Sequence, residues 1–153
     1  GYWDPLAELF LIFAARREHL ERTIWPALKK GHWVVSDRFV DSSYAYQGNT
    51  KKGPGPDVVK ALYKQIAGDF EPDLTLLLDV PVQISMDRVK ARGGWHDRYQ
   101  LKAAPFHKAL RKTFLALAKK NSKRIKVINA GVDLEAVAGN IQKAVRQHFG
   151  FKK

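Results

Sequence analysis

Three clusters of side chains along the 153-residue sequence are of types that handle phosphate. The first reads Ser36-Asp37-Arg38-Phe39-Val40-Asp41-Ser42-Ser43-Tyr44-Ala45-Tyr46-Gln47-Gly48. It opens on an acid beside a guanidinium and continues through hydroxyls and aromatics. Arg38 offers a planar fork that matches a phosphate. Asp37 can orient a cation or an incoming hydroxyl, and Tyr46 can wall a sugar. The same residues equally suit a salt-bridged strand end with a tyrosine packed beneath it, because acid–base pairs in such places are often structural.

The second cluster is Ile12-Phe13-Ala14-Ala15-Arg16-Arg17-Glu18-His19. Arg16 follows Ile12 by one helical turn, so the two share a face and could show a flat ligand an apolar surface and a donor. Alternatively, Ile12 and Phe13 are core and both arginines are solvated. The third cluster, Arg88-Val89-Lys90-Ala91-Arg92-Gly93-Gly94-Trp95-His96-Asp97-Arg98, sets four cations around a Gly-Gly hinge. A lid that closes on polyphosphate needs such an arrangement; a basic helix end followed by an ordinary turn has it too. His96 and His107 stand without an acidic or histidine partner at ligand spacing, so no metal site is expected.

The elements that must position these clusters alternate between helix and strand. A long helix is expected over residues 5–29, with Asp4 as cap, Pro5 at its first position, a kink near Pro26 and Gly31 as its stop. Residues 33–36 read as a short buried parallel strand. A Gly/Pro/Lys-rich loop over 48–56 precedes a helix capped by Asp57 and reaching about Ala67. The clearest strand is 74–78. Helices follow over 82–91, ended by Gly93 and Gly94, and over 104–120, where Pro105 sets the start. A strand over 125–128 and a helix from Asp133 to about Phe149 complete the order. The pattern predicts one domain over residues 1–153, an α/β fold with a parallel sheet and helices on both faces. Ligands of such sheets sit beyond the carboxyl ends of strands. That singles out Ser36-Asp37-Arg38, Asp79-Val80-Pro81 and Asn129-Ala130-Gly131.

Composition narrows the function. Apolar residues make up 45%, enough for a packed core. Lysine and arginine number 27 against 15 acids, a net charge of +12, which points to an anionic partner. The absence of cysteine excludes disulfides, thiolate metal sites and cysteine nucleophiles. No apolar run approaches a membrane span, no secretory signal opens the sequence, and the expected compartment is the cytoplasm.

Taken together, the segments resemble thymidylate kinases, the P-loop enzymes that phosphorylate dTMP with MgATP. Ser36-Asp37-Arg38-Phe39 resembles the family's acceptor motif, and Ala45-Tyr46-Gln47-Gly48 follows at the usual place. Phe70-Glu71-Pro72-Asp73-Leu74-Thr75-Leu76-Leu77-Leu78-Asp79-Val80 resembles a recognisable family strand. Arg92-Gly93, Asp97-Arg98-Tyr99 and Phe106-His107 resemble the lid and the helix behind it. The resemblance implies roles for these residues. Arg38 binds the dTMP phosphate, with Asp37 near the transferring phosphoryl group and Mg2+. Arg16 and Ser43 bond thymine. Tyr46 lies under the deoxyribose and disfavours a 2′-hydroxyl, while Ile12, Ser42 and Gln47 line the pocket. Arg88, Arg92 and Arg98 serve the lid, where they contact adenine and neutralise phosphate charge. ATP and Mg2+ are the implied cofactors, dTMP the substrate, and a homodimer the assembly.

Two departures stand out. The family stacks an aromatic ring on thymine where this sequence has Ile12. The P-loop motif G-x-x-x-x-G-K-[ST] and the Arg-Glu-Pro-Gly-Gly stretch that follows it do not occur, so two N-terminal strand–helix units are expected to be lacking and the 153 residues to be inactive alone. The strands ending at Asp37 and Asp79 then have open edges, expected to be filled by the missing segment, by another copy, or by each other. A non-catalytic nucleotide- or nucleic-acid-binding remnant is the competing reading, supported by the net charge and by Lys119, Lys120, Lys123, Arg124 and Lys126. That cluster surrounds a turn and lacks interleaved aromatics, so nucleic acid is not the expected partner. A kinase for another nucleotide is a further rival.

Overall fold

The computed structural model describes residues 4–49, 53–93, 99–100 and 102–151. Their contacts gather into two compact units, Gly1–Glu71 and Pro72–Lys153.

In the first unit, α1 (Pro5–His19) starts where Asp4 accepts from the amides of Leu6 and Ala7 at 2.9 and 3.0 Å. It runs through a π-helical turn (Leu20–Ile24) into α2 (Trp25–Lys29). Pro26 explains the widened turn. It has no N–H to give, and its ring crowds the carbonyl one turn earlier, so the chain loosens its ladder just before it. Gly31 then closes the helix at φ +77°. Leu9, Phe13, Leu20 and Ile24 lie on one side of this rod and form the core with Val40, Val59, Tyr63 and Ala67.

Residues 33–36 are not the expected strand. They form no ladder with any described strand, and Val35 is 93% exposed. Exposure nevertheless alternates there, with Val34 packed on the core and Trp33 and Val35 exposed, as along a strand. A strand of this kind exists through its neighbours' hydrogen bonds, and no strand among the described residues pairs with it. Beyond it come α3 (Val40–Ser43), a second π turn (Tyr44–Gly48) and α4 (Pro56–Ala67). The cap of α4 is Gly55, not Asp57 as expected. The Gly-Pro pair sets the entry with φ +95°, and Asp57 falls in the first turn, where its charge suits the helix dipole. Gly48 lies so close to α4 that a Cβ there would meet Val59 Cγ2 at 3.3 Å and Pro56 Cα at 3.4 Å.

The second unit holds a parallel pair, β1 (Thr75–Asp79) beside β2 (Ile125–Asn129), in register from Thr75↔Ile125 to Asp79↔Asn129. Between and after them lie α5 (Val82–Arg92), α6 (Ala104–Lys120) and α7 (Leu134–Phe149). Side chains alternate across a strand. Leu76 and Ile128 therefore share the face that packs on Val137 and Ile141 of α7. Asp79 belongs to the opposite face, where Arg111 of α6 reaches it. Helices thus cover both faces, as expected of the α/β class. Asp133 caps α7 through the amide of Ala136 at 2.8 Å, and Gly150 ends it in the left-handed region.

Candidate active site

The first unit assembles most of the expected acceptor residues. Arg16 projects from α1 toward the short α3, and its Nη1 donates to Ser43 Oγ at 3.0 Å. Ser43 is 2% exposed. The guanidinium carbon stands 5.0 Å from the centre of the Phe13 ring and 5.4 Å from that of Phe39. Burial pushes the Arg16 pKa below its ordinary value, with Tyr63 and Asp41 offsetting part of the shift. The group remains a cation at neutral pH, because an arginine begins from so high a value. Phe13 itself is core, edge-on to Tyr63 at 6.3 Å, while Ile12 is partly buried beside it.

Arg38 sits past residues 33–36, on the exposed side. Its guanidinium carbon lies 4.9 Å over the Tyr46 ring, and Nη2 reaches the Tyr46 hydroxyl at 3.4 Å. Ser36 Oγ donates to the Arg38 carbonyl at 2.8 Å, which pins the turn between them. Asp37 is exposed, and no hydrogen bond or ion pair engages its carboxylate among the described residues. Ser42 is partly buried and Gln47 buried. Arg17, by contrast, leaves the site. It stacks over Trp25 at 5.0 Å and donates to the carbonyl of Ile66 at 2.6 Å.

In the second unit Arg88 is exposed yet occupied, its Nη1 and Nη2 donating to the carbonyls of Ala130 and Val132 at 2.8 and 3.1 Å. Arg92 ends α5, exposed, ahead of Gly93. Arg98 and residues 94–97 of the expected lid, with His96 among them, lie outside the described residues. The strand ends Asp79-Val80-Pro81 and Asn129-Ala130-Gly131 adjoin, joined by Ala130 N to Asp79 O at 2.8 Å. A Cβ on Gly131 would meet Pro81 Cδ and Asn129 Oδ1 at 3.2 Å each.

Sequence reasoning passed over two groups. Arg111 grips both oxygens of Asp79 at 2.6 and 2.8 Å, and this hydrogen bonding holds the Asp79 carboxyl below the usual carboxylate range. Glu8 accepts from Gln47 Nε2 at 3.0 Å. No signal announces Arg111, one cation in a basic helix. Glu8 does have one, since it precedes Ile12 and Arg16 by one and two helical turns.

Chemically, the first unit offers a dehydrated donor set between aromatic rings and an exposed, stacked guanidinium beside a solvent-facing acid. No group of three His, Cys, Asp or Glu side chains among the described residues could hold a metal by itself.

A family model described as thymidylate kinase matches residues 2–141. Relatives named thymidylate kinase include the following three. That of Alkalilimnicola ehrlichii is 44% identical over 92% of this chain and 64% of its own length. The corresponding figures are 43%, 95% and 69% for Magnetococcus marinus. For Ruthia magnifica they are 47%, 88% and 65%. The chain thus spans about two thirds of the length of these relatives. With a family model matched over residues 2–141 and identity at this level across nearly all of its residues, the chain belongs to the thymidylate kinase family.

Proposed function

We propose that residues 1–153 act together as the acceptor-site and lid portion of a dTMP kinase. The reaction transfers the γ-phosphoryl group of ATP to dTMP. An oxygen of the dTMP phosphate attacks the γ-phosphorus, the bond to the ADP oxygen breaks, and dTDP forms without a covalent enzyme intermediate. Catalysis of this kind is positioning and charge neutralisation.

The observation that carries the reading is the held Arg16, bonded to buried Ser43 and flanked by Phe13 and Phe39. Such a donor suits the carbonyl edge of thymine, with Ile12 as the apolar floor. Arg38 takes the dTMP phosphate while Tyr46, which it stacks on, sits under the deoxyribose; Ser42 and Gln47 complete the wall. Arg88, anchored on two carbonyls, keeps the flat faces of its guanidinium for the adenine side, and Arg92 and Arg98 neutralise charge on the transferring group. Asp37 would supply one protein carboxylate toward a Mg2+ carried by the nucleotide, which would add neutralisation of phosphate charge. The assembly we propose is a homodimer, for which exposed Leu6, Phe10 and Leu11 give α1 an apolar face. The proposed compartment is the cytoplasm. No described helix is long and apolar enough to cross a membrane.

Titration of dTMP by calorimetry tests the acceptor site. Arg38→Ala is expected to abolish measurable binding, because a bidentate charged contact is lost. Arg17→Ala, directed at Trp25 and Ile66, is expected to bind as wild type does. Equal dTMP binding by wild type and Arg38→Ala removes Arg38 from the site.

A further inference from the structure

Glu8, Ile12 and Arg16 recur at four-residue spacing, so they form one stripe along α1. The two polar ends of this stripe each grip the segment that carries the acceptor residues. Arg16 holds Ser43 at 3.0 Å, and Glu8 holds Gln47 at 3.0 Å. Between Ser43 and Gln47 the chain adopts its second π turn, Tyr44–Gly48. Single π turns are uncommon, because the wide ladder is a poor substitute for α-helical bonding, and they persist where tertiary contacts hold them. Here three contacts do so. Gly48 presses on Val59 and Pro56, Asn49 Nδ2 donates to the Tyr44 carbonyl at 2.9 Å, and the Gln47 amide is tied to α1.

The last tie has a defined sense. Gln47 Nε2 donates to Glu8 Oε1, so the NH2 of the amide faces Glu8 and its carbonyl faces away. Gln47 is 6% exposed, so the amide has little water to turn toward. Tyr46 is the next residue along the turn, and it is the ring on which Arg38 stacks.

We infer that Glu8 is a positioning residue of the acceptor site: through the Gln47 amide it holds the π turn and so sets where Tyr46 meets the nucleotide sugar. This rests on the acceptor-site reading above. Glu8 also lies in the first turn of α1, where a negative charge favours the helix dipole whatever the site does. The two roles separate cleanly. Glutamine at this position loses the charge but keeps a carbonyl that can accept from Gln47; alanine loses both.

The test is calorimetric titration of the full chain with dTMP and with its 2′-hydroxylated analogue, ribothymidine 5′-monophosphate. Glu8→Ala is expected to weaken dTMP binding about tenfold, the scale of one charge-assisted hydrogen bond. It should also narrow the preference for dTMP over the ribonucleotide. Glu8→Gln should stay within about threefold of wild type in both respects. Gln47→Ala, which also removes part of the pocket wall, should bind dTMP no better than Glu8→Ala, and the double variant should be no worse than Gln47→Ala alone, because Glu8 acts through that amide. A purely structural role would lower stability without moving the dTMP-to-ribonucleotide ratio, and thermal melts of each variant report that separately. If Arg38→Ala loses dTMP while Glu8→Ala binds and discriminates as wild type, the inference about Glu8 fails and the site stands. If wild type does not bind dTMP, or Arg38→Ala binds it equally, the acceptor-site reading fails and takes this inference with it.

Discussion

Replacing Arg16 by methionine removes a charge and its donors but keeps an unbranched stem between Phe13 and Phe39. Two contributions are lost. The charge-assisted bond to Ser43 Oγ is worth about 1.5–3 kcal/mol net. The cation over two aromatic faces adds about 0.5–2 kcal/mol. Against them stands the cost of dehydrating a cation, several kcal/mol for a fully buried ion and less for partly buried Arg16. The depressed pKa has the same sign. A base whose pKa is lowered on folding is less comfortable charged in the folded state than in the unfolded chain, so its charge opposes stability at every pH below that value. Arg16→Met is therefore expected to lie within about 1–2 kcal/mol of wild type, on either side. Ser43→Ala should be worse. Ser43 is 2% exposed, so no water can take the hydroxyl's place, and the guanidinium keeps its dehydration cost with one acceptor fewer, a loss of about 1–3 kcal/mol.

The assay is urea denaturation of wild type, Arg16→Met, Ser43→Ala and the double variant, followed by far-UV circular dichroism and tryptophan fluorescence at constant salt. Comparable m values license the comparison of midpoints. The expected order puts Ser43→Ala below Arg16→Met, and the double variant close to Arg16→Met, because Ser43 has no cation left to satisfy. Titration of dTMP should show Arg16→Met weakened about 10- to 100-fold, the range for one hydrogen bond from a charged donor. An Arg16→Met variant more than about 2 kcal/mol less stable than Ser43→Ala would refute the reasoning, since desolvation would then not be the ruling term. So would strict additivity in the double variant.

Two other predictions concern the frame around the site. Phe13→Ala empties a position that is 2% exposed, packed edge-on to Tyr63 and under Arg16, and should cost about 3–5 kcal/mol by denaturation midpoint; a loss below ~1 kcal/mol would mean that Phe13 is not a core residue. Asp79→Asn removes the carboxylate gripped by Arg111, whose hydrogen bonds depress the Asp79 pKa. A depressed acid contributes stability above its unfolded value, roughly 3.9, and loses that contribution as pH falls through the folded one. Wild type should thus melt higher than Asp79→Asn at pH 7, with the gap narrowing as pH falls below the usual carboxylate range; a gap that does not change with acidification contradicts the assignment.

The elements that could be read from the sequence are those whose signals are local. Asp4 and Pro5 start α1, Pro105 starts α6, and Asp133 starts α7, because each cap or proline acts on amides within one turn of itself. Residues 33–36 carry the same apolar signal as β1 and yet form no ladder, because a strand is completed by partners distant in sequence. Pro26 marks a disturbance of its helix, expected as a kink in the last turn and found as a π turn before it, over Leu20–Ile24. The one at Tyr44–Gly48 had no local mark, because what holds it comes from Glu8 and from α4. The same limit hid the grip of Arg111 on Asp79, 32 residues away. Asp57 was misread for a different reason. It is a good capping type, but Gly55 takes the left-handed φ that the entry to α4 needs.

Arg16 and Arg38 show why residue type alone could not assign the roles of the site. Both are arginines near aromatic rings, but their surroundings differ. Arg16 is held before any ligand arrives, its dehydration already met in folding, so a neutral carbonyl can accept from it without stripping much further water. An interaction of that kind gains from preorganisation and discriminates by geometry. Arg38 is exposed and steadied on one face by Tyr46. Its edge remains available for a doubly charged phosphate, where the attraction is strong enough to draw a hydrated group inward. A partly buried, bonded arginine fits recognition of a base and an exposed, stacked one fits capture of a phosphate.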